Sequence, residues 1–189
     1  IDQINRKCHD MRHQIRSIGS SAKVDANALK EMEQAIHIYD SMFQTGSRAL
    51  DVILTEKSMA CQESGITVNC IADGSALSFM EDSDIYSLFG NLLENSINAV
   101  KALDASLRTI DLSIRRHDEL LSISTRNFYE GTITMENGRP VTSGDPRYHG
   151  FGTKSVAAIV SKYGGAVSFR AQSGTFSVNM LFPLKKKEE

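Results

Sequence analysis

The stretch "LFGNLLENSINAV", residues 88–100, combines an apolar helical stripe with three regularly spaced asparagines. The stripe consists of apolar residues on one helix face, namely Ile85, Leu88, Phe89, Leu92, Ala99, Val100 and Leu103. Asn91, Asn95 and Asn98 follow at i, i+4 and i+7, so they share one edge of this stripe. Asparagine destabilises a helix by up to ~0.7 kcal/mol relative to alanine, which favours a ligand as the reason for all three. Amide oxygens suit a hard cation such as Mg²⁺. The alternative is a polar edge that bonds to neighbouring backbone.

A second stretch, "HGFGTKSVAAIVSKYGG" at residues 149–165, places two glycines at the start of an amphipathic helix. Gly150 and Gly152 would expose backbone N–H groups at the positive end of that helix, where a phosphate binds well. The alternative is a flexible loop before a capped helix, and one Gly-x-Gly pattern does not separate the two.

Strand patterns surround these two helices. Apolar and polar residues alternate in five segments, which are 66–70, 110–114, 121–123, 167–171 and 176–182. Such alternation predicts a sheet with one wet face and one face covered by helices over about 84–103 and 152–163. The predicted fold class is therefore α+β, with a two-layer sandwich. Residues 128–148 show little periodicity, and because long structureless loops in compact domains are usually functional, we predict a mobile lid there.

The amino-terminal part of the chain predicts long helices. A first stripe of apolar or small residues steps by four and three, at Ile4, Cys8, Met11, Ile15 and Ile18. A second stripe over 29–53 contains Gly46 as its one position that is not apolar, and it predicts a helix of ~30 residues and ~45 Å. Two such hairpins would bury both stripes in a four-helix bundle, so residues 1–60 are expected to form a homodimer. The alternative is a hairpin packed on its own downstream domain.

Composition narrows the class of protein. The chain has 189 residues, 41% hydrophobic and 23% charged, which is typical of soluble globular proteins and leaves room for two units. A net charge of -2 gives no argument for a nucleic acid partner, and three cysteines without CxxC spacing predict neither a zinc site nor a disulfide framework. No run reaches the ~20 apolar residues that span a bilayer. Because the chain opens at Ile1 inside a helical pattern, we expect a fragment, with any membrane segment upstream and a charged tail at 186–189.

The two quoted stretches, with the interrupted loop between them, resemble the asparagine box and second glycine box of the GHKL superfamily. That superfamily includes gyrase, the large heat-shock chaperone, histidine kinases and the mismatch-repair ATPase. The resemblance implies a Bergerat-type α/β sandwich over residues 61–185 that binds ATP and Mg²⁺ under a lid. It assigns Mg²⁺ coordination to Asn95, and it places Asn91 where gyrase-like hydrolases carry a glutamate that activates water. Since an amide cannot act as a general base, the site suits ATP transfer better than ATP hydrolysis.

The resemblance also assigns contacts to the base and the phosphates. The strand "LLSISTRNFYEG", residues 120–131, ends at Asn127, where the first glycine box normally has an aspartate for the adenine amino group. Only Gly131 follows, as in histidine kinases related to peptide quorum-sensing receptors, but Asn127 can still accept that hydrogen bond. The phosphates would meet the helix start opposite the asparagines, and the nucleotide-binding set is then Asn91, Asn95, Asn98, Asn127, Gly150, Gly152, Thr153 and Lys154. For Lys154, a solvent-facing lysine is an equal alternative.

The amino-terminal stretch "KCHDMRHQI", residues 7–15, resembles the phosphoacceptor box of the same subgroup. His9 lies off the apolar stripe and should face solvent, and Asp10 could orient its imidazole. Arg12 and Arg16 lie on the same side and would favour an incoming phosphoryl group. His13 is the competing acceptor. A further stretch, "ALDVILTEKS" at residues 49–58, resembles the second helix of this subgroup.

Together these resemblances imply the cytoplasmic catalytic core of a two-component sensor histidine kinase, from a receptor of a bacterial plasma membrane. With ATP and Mg²⁺ it would phosphorylate itself on His9 and then pass the phosphoryl group to an aspartate of a response regulator. The expected catalytic residues are His9, Asp10 and Asn91. Two alternatives are a GHKL ATPase that hydrolyses ATP for conformational work and a dimeric scaffold without enzymatic activity.

Overall fold

The structure, a computed structural model, describes residues 43–141 and 151–184. Contacts between Cα atoms divide the chain into two units, 1–43 and 44–189, and the elements below belong to the second. His9, Asp10, Gly150 and the tail at 186–189 lie outside the described residues. The dimerisation hairpin therefore stays a prediction.

A mixed sheet of five strands forms one layer of this unit. Its strands stand in the order β1-β2-β3-β7-β6, where β1 and β2 are parallel and all other neighbours are antiparallel. The bounds are Thr67–Ala72 for β1, Thr109–His117 for β2, Leu120–Phe128 for β3, Ala166–Gln172 for β6 and Thr175–Pro183 for β7. The five predicted strands are thus confirmed. The β3–β7 register places Asn127 opposite Phe176, which matters for the site below.

Three helices form the other layer. They are α1 (Arg48–Glu63), α2 (Asp82–Val100) and α3 (Phe151–Lys162), and two short 3-10 turns follow β1 and α2 at Gly74–Leu77 and Ala105–Leu107. In β3, and in β2 as far as Ile114, every second residue is buried, as alternation requires of a sheet with one covered face. The covered face holds the centre of the core, including Ile110, Leu112, Ile114, Leu121 and Ile123. The α+β class is confirmed. Within the described ranges, no helix has the length and hydropathy needed to cross a membrane.

The start of α1 departs from the sequence prediction. A continuous helix over 29–57 is wrong at residues 43–47, where the chain is not helical and Gly46 has a φ of 95°, in the left-handed region. Thr45 donates from both its N–H and its Oγ1 to Asp51 Oδ1, at 2.8 and 2.7 Å, and its carbonyl accepts from Gly74 N at 2.8 Å. Ser47 then caps the first turn of α1. These bonds fix Thr45 to the 3-10 turn after β1, and α1 therefore begins only at Arg48.

The predicted lid also contains unexpected structure. Residues 134–141 form a hairpin of β4 (Thr134–Glu136) and β5 (Arg139–Val141), so a structureless loop is wrong for this part. The turn between the strands is Asn137-Gly138, with φ of 51° and 73°. Positive φ at both central residues is the hairpin geometry that Asn-Gly adopts most readily. Residues 142–150 lie outside the described chain.

Candidate functional site

The asparagine edge of α2 faces a cavity of about 560 Å³. Asn95 and Asn98 are exposed and line it, together with Ala99. Ala99 was expected in the core, but it is half-buried on the cavity wall, because the covered stripe of α2 continues through Leu93 and Ile97 instead. The volume is within the range of pockets that bind small molecules and cofactors. The asparagine edge, which was predicted to bind a ligand, therefore lies beside a cavity large enough to hold one.

The walls of the cavity divide into an apolar and a polar group. The apolar lining residues are Ala99, Ile133, Pro140, Val141 and Phe176. The remaining lining residues are polar or small, and they are Asn95, Asn98, Asn127, Tyr129, Glu130, Thr132, Gly152 and Thr153. Apolar surface beside polar groups is typical of a site that buries part of a ligand and orients it through hydrogen bonds.

Asn127 is the buried polar group of this cavity, with 4% of its surface exposed. It stands at the end of β3, and its Nδ2 donates to the carbonyl of Phe128 at 2.8 Å. Because the nitrogen is used within the protein, the Oδ1 atom is left to accept a hydrogen bond from a ligand. Phe176 stands opposite in the β3–β7 register, so an aromatic side chain lies beside this acceptor.

Two amides on α2 are oriented in the same way. Asn91 Nδ2 donates to the carbonyl of Ser87 at 2.7 Å, and Asn98 Nδ2 donates to Glu94 Oε1 at 3.5 Å. Both bonds hold the nitrogen against the helix and leave the oxygen as the acceptor. Carbonyl oxygens of this kind suit a hard cation or a water in its shell. Among the residues described, no group of three or more His, Cys, Asp or Glu could hold a metal ion.

The first turn of α3 forms the wall of the cavity at which the sequence predicts phosphate binding. A Cβ atom built on Gly152 would lie 3.1 Å from Asn95 Nδ2 and 3.2 Å from Asn91 Oδ1. Glycine is therefore what allows the backbone of α3 to approach both amides. Gly152 and Thr153 line the cavity, whereas Asn91 is half-buried beside Gly152 and is not among the lining residues. The structure thus brings Asn91, Asn95, Gly152 and Thr153 together.

Lys154 does not join this group. Its side chain is exposed and is absent from the lining of the cavity. Successive helical residues are ~100° apart, so with Gly152 and Thr153 facing the cavity the next position turns away. The solvent-facing alternative describes Lys154 better than the phosphate contact does.

Ion pairs fasten the other two helices to α2. Lys57 of α1 contacts Glu94 Oε2 at 2.9 Å, and this hydrogen bond raises the pKa of the lysine. Lys162 of α3 contacts Asp84 Oδ2 at 2.7 Å, and Tyr163 donates to the same oxygen at 2.6 Å. The bonds from Lys162 and then Tyr163 lower the pKa of Asp84. The asparagine helix is therefore held on both sides.

Several lining residues were missed from the sequence. Ile133, Pro140 and Val141 belong to the β4–β5 hairpin or lie next to it, and Phe176 comes from β7, far along the chain. The dipeptide Asn137-Gly138 was the available signal for the hairpin, because Asn-Gly between short extended runs predicts a tight turn. Nothing in the local sequence around Phe176 distinguishes it from the other apolar residues of β7.

Comparisons with known proteins address the family and the fold of the chain. The family model described as a GHKL domain matches residues 80–183. A probable C4-dicarboxylate sensor kinase of Bacillus subtilis is 26% identical, and the match covers 72% of this chain and 27% of that protein. The chain therefore spans about a quarter of the length of that relative.

Two solved structures share the fold. The catalytic domain of histidine kinase ThkA has a TM-score of 0.53 at 13% identity, over 71% of this chain and 90% of that one. The histidine kinase AdeS of Acinetobacter baumannii has a TM-score of 0.51 at 11% identity, over 96% and 97% of the two chains. The family match thus confirms the resemblance to the GHKL superfamily, and the two solved structures confirm the fold.

Proposed function

Because the chain belongs to the GHKL domain family, we propose that it is the catalytic core of a two-component sensor histidine kinase. One observation carries the proposal: the amides of α2, the first turn of α3 and the buried acceptor Asn127 all meet around one cavity. That cavity has an apolar end for a base and an N-terminal helix turn for phosphates. The similarity to the probable sensor kinase of Bacillus subtilis supports the same function.

In this proposal ATP spans the cavity. The adenine ring lies against Phe176 and the β4–β5 hairpin, and its amino group donates to Asn127 Oδ1. The phosphates reach Asn95, Asn98 and the backbone N–H groups at the start of α3, with Gly150 as a further contact, whereas the exposed Lys154 makes none. Mg²⁺ would neutralise phosphate charge, and Asn95 Oδ1 is the protein ligand that fits it.

The proposed reaction is transfer of the γ-phosphoryl group to His9. A neutral imidazole nitrogen of His9 attacks the γ-phosphorus, the bond from phosphorus to the β–γ bridging oxygen breaks, and ADP leaves with that electron pair. The Asp10 carboxylate accepts a hydrogen bond from the N–H of the other ring nitrogen and so orients the imidazole. Asn91, whose Nδ2 is bound to Ser87, cannot deprotonate water, and this disfavours hydrolysis.

The remaining assignments are proposals of the same kind. The helical hairpin expected over residues 1–60, which pairs in a homodimer as a four-helix bundle, is assigned to the part before residue 44, because α1 belongs to the same unit as the sheet. Residues 44–185 then form the ATP-binding domain, and 186–189 are a charged tail. The phosphoryl group passes to an aspartate of a receiver domain. The core lies on the cytoplasmic side of a bacterial plasma membrane, with a membrane segment upstream.

Radiolabel transfer from γ-labelled ATP tests the proposal on the full chain. We expect an acid-labile, base-stable label on the protein that is lost in His9→Gln and kept in the matched control His13→Gln. Label that persists in His9→Gln would contradict the acceptor. Release of phosphate without labelled protein would indicate the ATPase alternative, and calorimetry without Mg-ATP binding would indicate the scaffold.

A further inference from the structure

Helix α1 lies outside the residues matched by the family model, yet it packs against the asparagine helix α2. Its residue Lys57 reaches across to Glu94, with 2.9 Å between Nζ and Oε2. The Lys57 side chain is 20% exposed, so most of its stem is covered by protein. The ammonium group is thus placed against one particular carboxylate of α2.

Glu94 uses its second oxygen for a cavity residue. Oε1 accepts from Nδ2 of Asn98 at 3.5 Å, one helical turn further along α2. Asn98 lines the cavity, and this bond keeps its nitrogen on the helix and its Oδ1 available. A chain of contacts therefore runs from Lys57 through Glu94 to an amide on the cavity wall.

We propose that Lys57 is a positioning residue for the nucleotide, acting through Glu94 on Asn98; this rests on the proposed binding of ATP in the cavity. Lys57 restrains the carboxylate of Glu94 so that Oε1 stays with Asn98. A helix beyond the family domain thereby contributes to nucleotide affinity.

A second interhelical ion pair provides the comparison. Lys162 joins α3 to α2 through Asp84 at 2.7 Å, but neither residue lines the cavity. A single interhelical ion pair usually changes the free energy of unfolding only slightly. If both lysines only stabilised the fold, removing either one should leave the affinity for nucleotide almost unchanged. The Lys57 side chain is 20% exposed and that of Lys162 is 48% exposed, and each has a second carboxylate partner, Glu56 at 3.6 Å and Glu81 at 3.2 Å. Of these two ion pairs, that of Lys57 is the one linked to a cavity residue, through Glu94 and Asn98.

The test is Mg-ATP calorimetry on the full chain and five variants: Lys57→Met, Asn98→Ala, the double variant of these two, Lys162→Met and Lys57→Arg. Lys57→Met should raise the Kd for Mg-ATP by about threefold to tenfold, while Lys162→Met should leave it within about twofold. In the Asn98→Ala background, the further effect of Lys57→Met should fall below about twofold, because residues that act through one contact are not additive. Lys57→Arg, which keeps the charge and a donor, should restore most of the affinity.

An equal effect of Lys57→Met with and without Asn98, or no effect in the native chain, would overturn the inference. Absence of Mg-ATP binding in the native chain would instead overturn the proposed function, so the two failures are distinguishable. Should Lys57→Met fail to fold, the double variant Lys57→Met/Glu94→Gln provides the same information without an unpaired charge. It should bind Mg-ATP within about twofold of Glu94→Gln alone, and a larger difference would contradict a role through Glu94.

Discussion

Gly152 and Asn95 approach so closely that a Cβ on the glycine would lie 3.1 Å from the asparagine Nδ2. This contact sets the distance between α3 and α2 at the cavity. It is tighter than most contacts of a real Cβ, so any side chain at 152 must displace an amide or move the helix.

Gly152→Ala is therefore expected to weaken Mg-ATP binding by about tenfold, since ~1.4 kcal/mol of strain at the amides corresponds to that factor. Calorimetry measures the loss. The control is Gly90→Ala in the interior of α2, where the nearest atom to a new Cβ is Ile53 Cδ1 at 4.0 Å. That control should keep its affinity and gain about 0.5–1 kcal/mol in stability. Unchanged binding in Gly152→Ala would contradict the proposed phosphate position.

Asn95→Ala should abolish the dependence of nucleotide binding on Mg²⁺. Asn95 is exposed and lines the cavity, so its removal takes away an amide oxygen without opening the core. Titrations with ATP, one with Mg²⁺ present and one with a chelator that removes it, measure this dependence. The free energy of unfolding should change by no more than an ordinary surface substitution changes it, ~0.5 kcal/mol. Normal Mg²⁺ dependence in this variant would remove the metal assignment.

Asn127 predicts selection of the base at its 6-position. Its Nδ2 is bound to the Phe128 carbonyl, so Oδ1 meets the ligand as an acceptor. Adenine presents an amino donor there, whereas inosine triphosphate presents a carbonyl oxygen that would be left unpaired. We expect ITP to bind at least about tenfold more weakly than ATP, by competition against a fluorescent nucleotide. Asn127→Ala should bring the two affinities together; an unchanged preference would place the base elsewhere.

The Asp84–Lys162 contact predicts a pH-dependent part of stability. Hydrogen bonds from Lys162 and Tyr163 lower the pKa of Asp84 below its ordinary 3.8, so its stabilisation is fully present above that value. It is lost as the pH falls through the lowered pKa of the folded state. Asp84→Asn should thus lower Tm at pH 7, and the difference from the native chain should close in acid. The control Asp82→Asn, exposed in the same helical turn, should not reproduce this curve.

Much of the fold was predictable because its elements carry clear periods. The five strands alternate over their length, and α2 and α3 show stripes at helical spacing. The β4–β5 hairpin was not predicted, because strands of three residues are too short to show an alternation of apolar and polar residues. The non-helical conformation of residues 43–47 was not predicted from the sequence. One of the bonds that fix it is tertiary, from Gly74 N to the Thr45 carbonyl, and local sequence patterns do not reveal such a bond.

The site was predictable to the extent that its residues share one helix or one motif. Asn95, Asn98, Gly152 and Thr153 meet at the cavity as the spacing suggested. Lys154 points away because helix rotation, rather than its neighbours in the motif, decides its direction. Phe176 could not be inferred, since only the register of β7 against β3 brings it beside the cavity.

The amide at position 127 has one more consequence. A buried carboxylate in its place would be a weak acid, so capture of the base would vary with the acidity of the cell interior. An amide carries no such equilibrium and offers the same oxygen at any pH at which the chain is folded. Hydrogen bonding of a base to Asn127 should therefore not change on acidification, and any acid response of nucleotide binding would have to come from other groups.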